Sequence, residues 1–349
     1  MPAPRGMKPT VANPGKVFKR IMAFVFEKYL IQCIAVFVCI IISVIASVQG
    51  TLFMKTLIDD YITPLIGAGT PDYTGLLHEL IRVGSFYLIG ILATFVYNKI
   101  MVYVTQGTLD RLRREMFDHM EKLPIRYFDT HAHGDIMSMY TNDVDTLRQM
   151  ISQSIPQFIN SAITVISIVA GMISLSLPLT GVAFVMVAIM LICTKKVTGL
   201  SGKNFVAQQR DIGAVNGFIE EMMEGQKVVK VFCHEQRANA DFSVINGRLR
   251  HASTNAHTFA SVLMPIMGNI SYLTYAAVAM LGSVLIVALP QDSFFVITVG
   301  TLLAFLAYTK QFFQPITQIS QQFNNIIMAL AGAERIFEII DTPPEADDG

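Results

Sequence analysis

The residues that most resemble a chemical site form the pattern His131-Ala-His133-Gly-Asp135. Two imidazoles and a carboxylate at alternate positions are side chains that bind zinc and similar ions. A metal site needs further ligands, however, and no other histidine falls nearby in the sequence. Gly134 lies within the pattern and favours a turn. We interpret the segment as a solvated turn and expect no metal there.

No catalytic group of another kind stands out in the sequence. Nothing resembles a nucleophile paired with a general base. The phosphate-binding pattern GxxxxGK followed by Ser or Thr is absent from the 349 residues. We therefore expect no catalytic residue and no cofactor in this segment, which by itself should neither bind nor hydrolyse ATP.

A third set of polar residues follows Lys310 and alternates with aromatic and aliphatic side chains. Its members are Gln311, Gln314, Thr317, Gln318, Ser320, Gln321, Gln322, Asn324 and Asn325. A lipid-facing helix would not carry so many amides, because each unpaired polar group in hydrocarbon costs several kcal/mol. Two interpretations stay open: this face lines a translocation cavity, or it has left the bilayer and pairs with other helices. The candidates for substrate contact are Gln311, Phe312, Gln318 and Gln322.

The distribution of charge predicts that these residues are positioned by a membrane domain. Of the 349 residues 52% are hydrophobic and 15% are charged, against about 25% charged in soluble domains. Long uncharged stretches alternate with charged blocks, and a helix needs about 20 apolar residues to cross a bilayer. The predicted spans are residues 30–50, 82–104, 155–177, 179–195, 258–289 and 293–314. We therefore predict an all-α membrane protein with six long transmembrane helices and cytoplasmic extensions.

Lysine and arginine predict the orientation of the connections. The connections 59–80, 176–180 and 290–292 contain neither residue, whereas 105–154 and 194–257 contain fifteen between them. The positive-inside rule places the two long connections and both termini in the cytoplasm. The predicted location is the plasma membrane of a bacterial cell.

The two ends of the chain are expected to lie outside the membrane domain, which we place at residues 17–338. Residues 1–16 are rich in proline and show no apolar period, so we predict a disordered cytoplasmic tail. Val17–Leu30 has one apolar face and is interpreted as an interfacial helix or as a simple extension of the first span. Residues 339–349 are interpreted as the start of a linker.

Each long cytoplasmic connection has helical character on both sides of a central break, at Pro124 in the first and at Gly225 in the second. Arms of about 20–25 helical residues would project roughly 30–37 Å from the bilayer. The tips carry Tyr127, Phe128 and Phe232 between charged residues, as expected for segments that dock into a cytoplasmic partner. The alternative is a pair of hairpins that pack only on each other.

Several short motifs occur in a characteristic order between about residues 18 and 340. They are Leu123-Pro-Ile-Arg-Tyr-Phe-Asp129 with Gly134-Asp135, Thr141-Asn-Asp-Val144, Glu224-Gly225 with Val228-Val-Lys-Val-Phe232 and Glu235, then Phe305, Tyr308, Pro315 and Ala333-Glu-Arg-Ile-Phe337. Each motif is weak alone, but their order and spacing are specific. Together they resemble the transmembrane domain of ATP-binding-cassette (ABC) exporters of the six-helix half-transporter type.

The resemblance implies a type 1 exporter fold and a domain-swapped dimer with a second half-transporter, either identical or different. It also implies that Ile125–His131 and Lys230–Gln236 are coupling helices that contact nucleotide-binding domains. The residues assigned to this contact are Ile125, Arg126, Tyr127, Phe128, Asp129, Thr130, Lys230, Val231, Phe232, Cys233, His234 and Glu235.

The implied function is ATP-driven export of small or amphipathic substrates by alternating access. ATP and magnesium would bind to a nucleotide-binding domain that follows residue 349 or belongs to a separate chain. An ion-driven secondary transporter would carry ionisable groups within its spans, and this sequence has almost none. A receptor or scaffold whose stalks bind a non-ATPase partner is a further alternative. A net charge of zero gives no reason to expect nucleic acid as a partner.

Overall fold

The computed structural model describes residues 13–65, 74–288 and 296–345, and within them the chain is helical without β-strands. The predicted all-α fold is therefore confirmed. The α-helices of this described part are α1 (Pro14–Thr56), α2 (Thr63–Leu65), α3 (Thr74–Met120), α4 (Ile125–Thr130), α5 (His133–Ser138), α6 (Val144–Gln149), α7 (Ile155–Leu175), α8 (Leu177–Glu224), α9 (Gln226–Val231), α10 (Glu235–Ala288) and α11 (Val299–Asp341). Stretches of π-helix continue or join them at Leu57–Ile62, Met139–Asp143 and Met150–Ser154.

Five helical stretches of the described chain are long and apolar enough to cross a membrane. They are Pro14–Ile62, Thr74–Met120, His133–Leu175, Leu177–Glu224 and Glu235–Ala288. Each contains one of the first five predicted spans or nearly all of it. The predicted sixth span, 293–314, begins at residues that lie outside the described part, and its residues 299–314 form the beginning of α11.

The N-terminal boundary differs from the sequence prediction. Helix α1 begins at Pro14, so the tail predicted for residues 1–16 ends earlier than expected, and its first twelve residues lie outside the described part. A proline in the first helical turn costs no hydrogen bond, because the N–H groups there have no helical acceptor. The backbone leaves helical geometry at Tyr29, where φ is −122° and ψ is 24°. This kink separates the amphipathic segment from the first span.

The chain divides into two compact units, of which the first comprises residues 13–177 and 282–345 of the described part. In this unit α11 runs antiparallel to α1 along its whole length. The backbone N–H of Gly300 donates to Asp59 at one end (3.0 Å), and Arg20 pairs with Asp341 at the other (2.6 Å). Helix α3 packs antiparallel on α1, with the hydroxyls of Ser43 and Thr94 2.8 Å apart.

The core of the first unit continues into the stalk. Ile21, Val25 and Tyr29 are buried there together with Leu109 and Met116 of α3. The apolar face of the N-terminal segment therefore covers protein, and burial of each such side chain contributes about 1.5–3 kcal/mol. This packing attaches the beginning of α1 to the first stalk.

The second unit comprises residues 178–281 and consists of α8, α9 and most of α10. Helices α8 and α10 lie antiparallel, so that Phe218 contacts Phe242 near the tip with ring centroids 6.2 Å apart. Further from the tip the hydroxyl of Thr194 donates to the sulfur of Met267 over 3.1 Å. The second long connection is thus a helical hairpin.

Candidate functional site

The tip of the first stalk is a short helix set between two turns. Pro124 is extended (φ −62°, ψ 146°) and begins α4, which ends at an extended His131. The His131 ring stacks on Tyr127 at 4.0 Å, and the Tyr127 ring meets Phe128 edge to face at 5.7 Å. Ile125 is 73% exposed. In the predicted segment Ile125–His131, Ile125 is thus exposed, whereas the rings of Tyr127 and Phe128 are half-buried.

The predicted metal-like pattern lies directly after this tip. The Nδ1 atom of His131 is 2.8 Å from the carbonyl oxygen of Tyr127, within the same turn. His133 and Asp135 are exposed in the first turn of α5. No group of three potential ligands among the described residues lies close enough to share a metal ion.

The tip of the second stalk differs from its prediction. The short helix α9 covers Gln226–Val231, so the segment Lys230–Gln236, predicted as one coupling helix, contains the end of α9, a turn and the start of α10. The segment from Phe232 to His234 is instead a turn, and α10 begins at Glu235. Gly225 ends α8 directly before α9, and the new helix forms at once instead of after a loop.

The turn after α9 is a Schellman motif. Cys233 adopts the left-handed conformation with φ 52°, and the next residue, His234, donates its N–H to the carbonyl of Val229 over 3.0 Å. Such a helix end normally uses glycine, because a Cβ atom is unfavourable there. The motif holds Val231 and Phe232, which are 76% and 68% exposed, on the surface of the tip.

A polar cleft lies between α1, α7 and α11 in the first unit. At its centre Gln318 Oε1 accepts hydrogen bonds from Gln157 Nε2 (2.8 Å) and the Ser161 hydroxyl (3.1 Å). At one end Gln311 donates to the hydroxyl of Thr51 over 3.0 Å. The cleft has a volume of about 300 Å³. Its lining residues are Ser43, Val44, Ser47, Gln157, Asn160, Ser161, Thr164, Gln311, Gln314, Pro315 and Gln318.

Two of the four predicted substrate residues, Gln311 and Gln318, lie on the wall of this cleft. Phe312 does not, because its side chain is buried and packs edge to face on Phe313 at 6.1 Å. Gln322 lies further along α11 and accepts a hydrogen bond from Asn325. Along α11, therefore, Gln311, Gln314, Pro315 and Gln318 line the cleft, whereas Gln322 pairs within its own helix.

Sequence reasoning missed the α7 side of the cleft. Gln157, Asn160, Ser161 and Thr164 recur at helical spacing in a stretch without charge, and this spacing puts them on one face. This helical spacing of polar residues can be recognised from the sequence alone. The sequence could not reveal that this face of α7 meets the polar face of α11, because Gln157 and Gln318 are 161 residues apart.

The C-terminal end of α11 is tied to the first stalk. The guanidinium of Arg20 donates two hydrogen bonds, of 2.6 and 2.7 Å, to the carboxylate of Asp341. This hydrogen bonding lowers the pKa of Asp341. The ring of His119 contacts the carbonyl oxygen of Thr342 at 2.7 Å. The chain after α11 therefore leaves beside the helix that carries the first tip.

These features define a helical membrane protein of the transporter class, with an uncharged cleft among its helices and long stalks beyond them. The comparison with known families agrees: residues 33–316 match the ABC transporter transmembrane region. The chain belongs to this family.

Three bacterial relatives illustrate the match. An uncharacterized ABC transporter ATP-binding protein of Bacillus subtilis, YfiC, is 31% identical over 90% of the chain and 50% of the relative. A fatty acid ABC transporter ATP-binding/permease protein of Mycobacterium bovis is 32% identical over 79% of the chain and 43% of the relative. An ATP-dependent lipid A-core flippase of Bordetella pertussis is 27% identical over 99% of the chain and 53% of the relative. The chain thus spans about half the length of these relatives.

Proposed function

We propose that this chain is the membrane-spanning half of an ATP-driven exporter that moves amphipathic molecules out of the cytoplasm. The observation that carries the proposal is the combination of an uncharged cleft between membrane helices with aromatic tips at the ends of two helical stalks. Family membership supports the same function. The names of two relatives, a fatty acid transporter and a lipid A-core flippase, favour an amphipathic cargo.

In this proposal the stalks lie in the cytoplasm, as the concentration of lysine and arginine in both long connections favours. The two tips, α4 with Tyr127 and Phe128, and α9 with the turn at Phe232, would each fit a cleft of a nucleotide-binding domain. ATP and Mg²⁺ would bind to that domain. A second half-transporter, identical or different, would complete the pathway by exchanging helices with this chain.

The arrangement in the first unit suggests how movement of a tip would reach the cleft. Helix α3 enters the first tip, the helices from α5 to α7 leave it, and α7 forms one wall of the cleft. Helix α11 forms the opposite wall and is tied to the stalk at its other end. ATP-driven closure of the nucleotide-binding domains would draw the stalks together and change the separation of the walls.

The test replaces Phe128 or Phe232 by alanine in the complete transporter, reconstituted in inside-out vesicles. ATP hydrolysis and ATP-dependent accumulation of a fluorescent lipid are measured together. Both variants should keep ATP hydrolysis but lose transport per ATP hydrolysed. Val244→Ala is the matched control for Phe232→Ala, because Val244 is similarly exposed (61% against 68%) but lies on α10 away from the tip. Unchanged coupling in both tip variants would contradict the proposal.

A further inference from the structure

We infer that the cargo of this protein is an acylated amphiphile with an uncharged, hydrogen-bonding head. This inference rests on the proposed function, and it goes further by assigning the charge of the head and the position of the tail. It follows from two neighbouring features of the first unit: the polar cleft described above and an apolar groove beside it.

The polar cleft offers hydrogen bonds but no charge. Its lining, as far as the chain is described, consists of glutamine, asparagine, serine and threonine side chains with one valine and one proline. No lysine, arginine, histidine or carboxylate of the described residues contributes to the lining. A charged head would therefore have to enter the cleft without a counter-charge from these residues, which is unfavourable within a membrane.

Part of this hydrogen-bonding capacity is available to a ligand. Gln157, Ser161 and Gln318 satisfy each other at the centre of the cleft. The side chains of Asn160 and Gln314, by contrast, make no hydrogen bond to other described residues, although both line the cleft. Each amide offers two donors and an acceptor, which suits a head that carries amide or hydroxyl groups.

The apolar groove begins on the same helices, one or two turns closer to the stalk. Helix α1 lines it with Ile34 and Phe37, and α7 lines it with Ile155 and Ile159. The cleft follows along both helices, at Ser43 on α1 and at positions 157–164 on α7. The groove has a volume of about 300 Å³, and its surface is almost entirely apolar.

The succession of groove and cleft along α1 and α7 points to the occupant of the groove. A hydrocarbon chain attached to a head in the cleft can follow these two helices from Ser43 and Gln157 to the apolar residues Ile40 and Ile155. In the groove the chain contacts apolar side chains instead of the amides of the cleft. A head without a tail would leave the groove empty, so we assign the groove to the acyl chain of the same molecule.

The test uses two probes that differ only in their terminal group, which is neutral in N-palmitoylethanolamine and anionic in N-palmitoyltaurine. Both have the same acyl chain, amide and two-carbon spacer, but the first ends in a hydroxyl and the second in a permanently ionised sulfonate. Binding of each tritiated probe to the complete transporter in nanodiscs is measured by scintillation proximity without ATP. The neutral probe should bind at least about tenfold more tightly, as the cost of burying a charge requires. Equal or tighter binding of the sulfonate would overturn the inference.

Two lysine variants test whether the cleft sets this preference. Gln314→Lys puts a cation into the cleft and should reduce the preference for the neutral probe by about tenfold or more. Asn324→Lys is the control, because Asn324 is also exposed on α11 but does not line the cleft. The same shift in both variants would show that the preference arises elsewhere and would overturn the assignment.

A third variant tests the position of the tail. Ile34→Trp fills the groove and should weaken binding of the neutral probe by about tenfold. The molecular mass of the purified variant should show that it remains a dimer. If the dimer dissociates and each copy still binds the probe, a second copy covers the groove and the tail placement is wrong. Failure of the proposed function has a different signature: the binding preference persists, but no ATP-dependent transport accompanies it.

Discussion

The buried carboxylate of Asp143 accepts a hydrogen bond from the guanidinium of Arg335 and so joins two helices that are far apart in the sequence. Asp143 ends a π-helical stretch on the return path of the first stalk, outside the predicted spans, and Arg335 lies near the end of α11. Gly332 lies opposite this carboxylate, where an added Cβ atom would be 3.1 Å from Oδ1. The second carboxylate oxygen, Oδ2, has no hydrogen-bond partner among the described residues.

This pair predicts an unequal response to removal of its two partners. Arg335→Met leaves a buried carboxylate without a counter-charge and should reduce the free energy of unfolding by about 3 kcal/mol. Asp143→Asn keeps an acceptor for Arg335 and removes the buried charge, so its effect should stay within about 1 kcal/mol. Unfolding of the purified protein by SDS, followed by circular dichroism, measures both. An equal loss in the two variants would show that the pair acts as a simple surface contact.

The pH dependence of stability should differ in sign between Asp143 and Asp341. Burial raises the pKa of Asp143 above its ordinary 3.8, although Arg335 opposes this shift. The folded state then holds the proton more tightly than the unfolded state, so the contribution of Asp143 falls as pH rises from 3.8 through the raised pKa.

For Asp341 the hydrogen bonds from Arg20 lower the pKa below 3.8, and its contribution is lost as pH falls through that lowered pKa. The contribution of Asp341 to the unfolding free energy should stay below about 1 kcal/mol, because its ion pair with Arg20 is exposed. The test measures the unfolding free energy of wild type, Asp143→Asn and Asp341→Asn at several pH values. For each variant, the difference from wild type plotted against pH gives the slope for that carboxylate. Slopes of the same sign would refute this assignment.

Gly107 on α3 is predicted to be intolerant of a side chain. A Cβ atom there would overlap the hydroxyl of Tyr29, the residue at the kink of α1. Gly107→Ala should therefore destabilise the fold by about 1–3 kcal/mol, the cost of overpacking. Gly84→Ala, on the same helix, meets no atom within 4 Å and should stabilise it by up to about 1 kcal/mol. Thermal unfolding in detergent distinguishes them, and adding Tyr29→Phe to Gly107→Ala should restore part of the loss.

Asp59 is predicted to anchor the beginning of α11. Its carboxylate accepts hydrogen bonds from the hydroxyl of Thr298 and from the backbone N–H of Gly300. Asp59→Ala should cost about 1 kcal/mol, as loss of a helix cap and of its favourable charge does. The neighbouring Asp60→Ala should have no comparable effect, since Asp60 is exposed and makes no such contact in the described structure. Proteolysis near residue 298 reports the release of the helix end.

The sequence was sufficient to predict the positions of the long helices along the chain. It was not sufficient to predict which face of each helix packs against its neighbours. Stretches without charged residues predicted the membrane spans in α1, α3, α7, α8 and α10, because a charge within hydrocarbon is costly. These uncharged stretches do not indicate which side of a helix contacts a neighbouring helix.

Two substrate candidates illustrate this limit. Phe312 is adjacent in sequence to Gln311, yet it points into the packed interior while Gln311 lines the cleft. Consecutive residues of a helix point in directions about 100° apart, so adjacency on a polar helix does not assign a shared face. The pairing of α7 with α11 likewise depends on tertiary contacts, which a single sequence does not encode in any local pattern.

The contact between each stalk tip and a nucleotide-binding domain is the central claim, and photo-crosslinking tests it most directly. The aromatic photo-crosslinker p-benzoylphenylalanine replaces Phe128 or Phe232 in the complete transporter, and replaces Phe205 at mid-stalk as the control. After irradiation, crosslinked peptides are identified by mass spectrometry. We expect peptides of the nucleotide-binding domain from both tips and none from position 205. Crosslinks from the tips to lipid or to this chain alone would contradict the account.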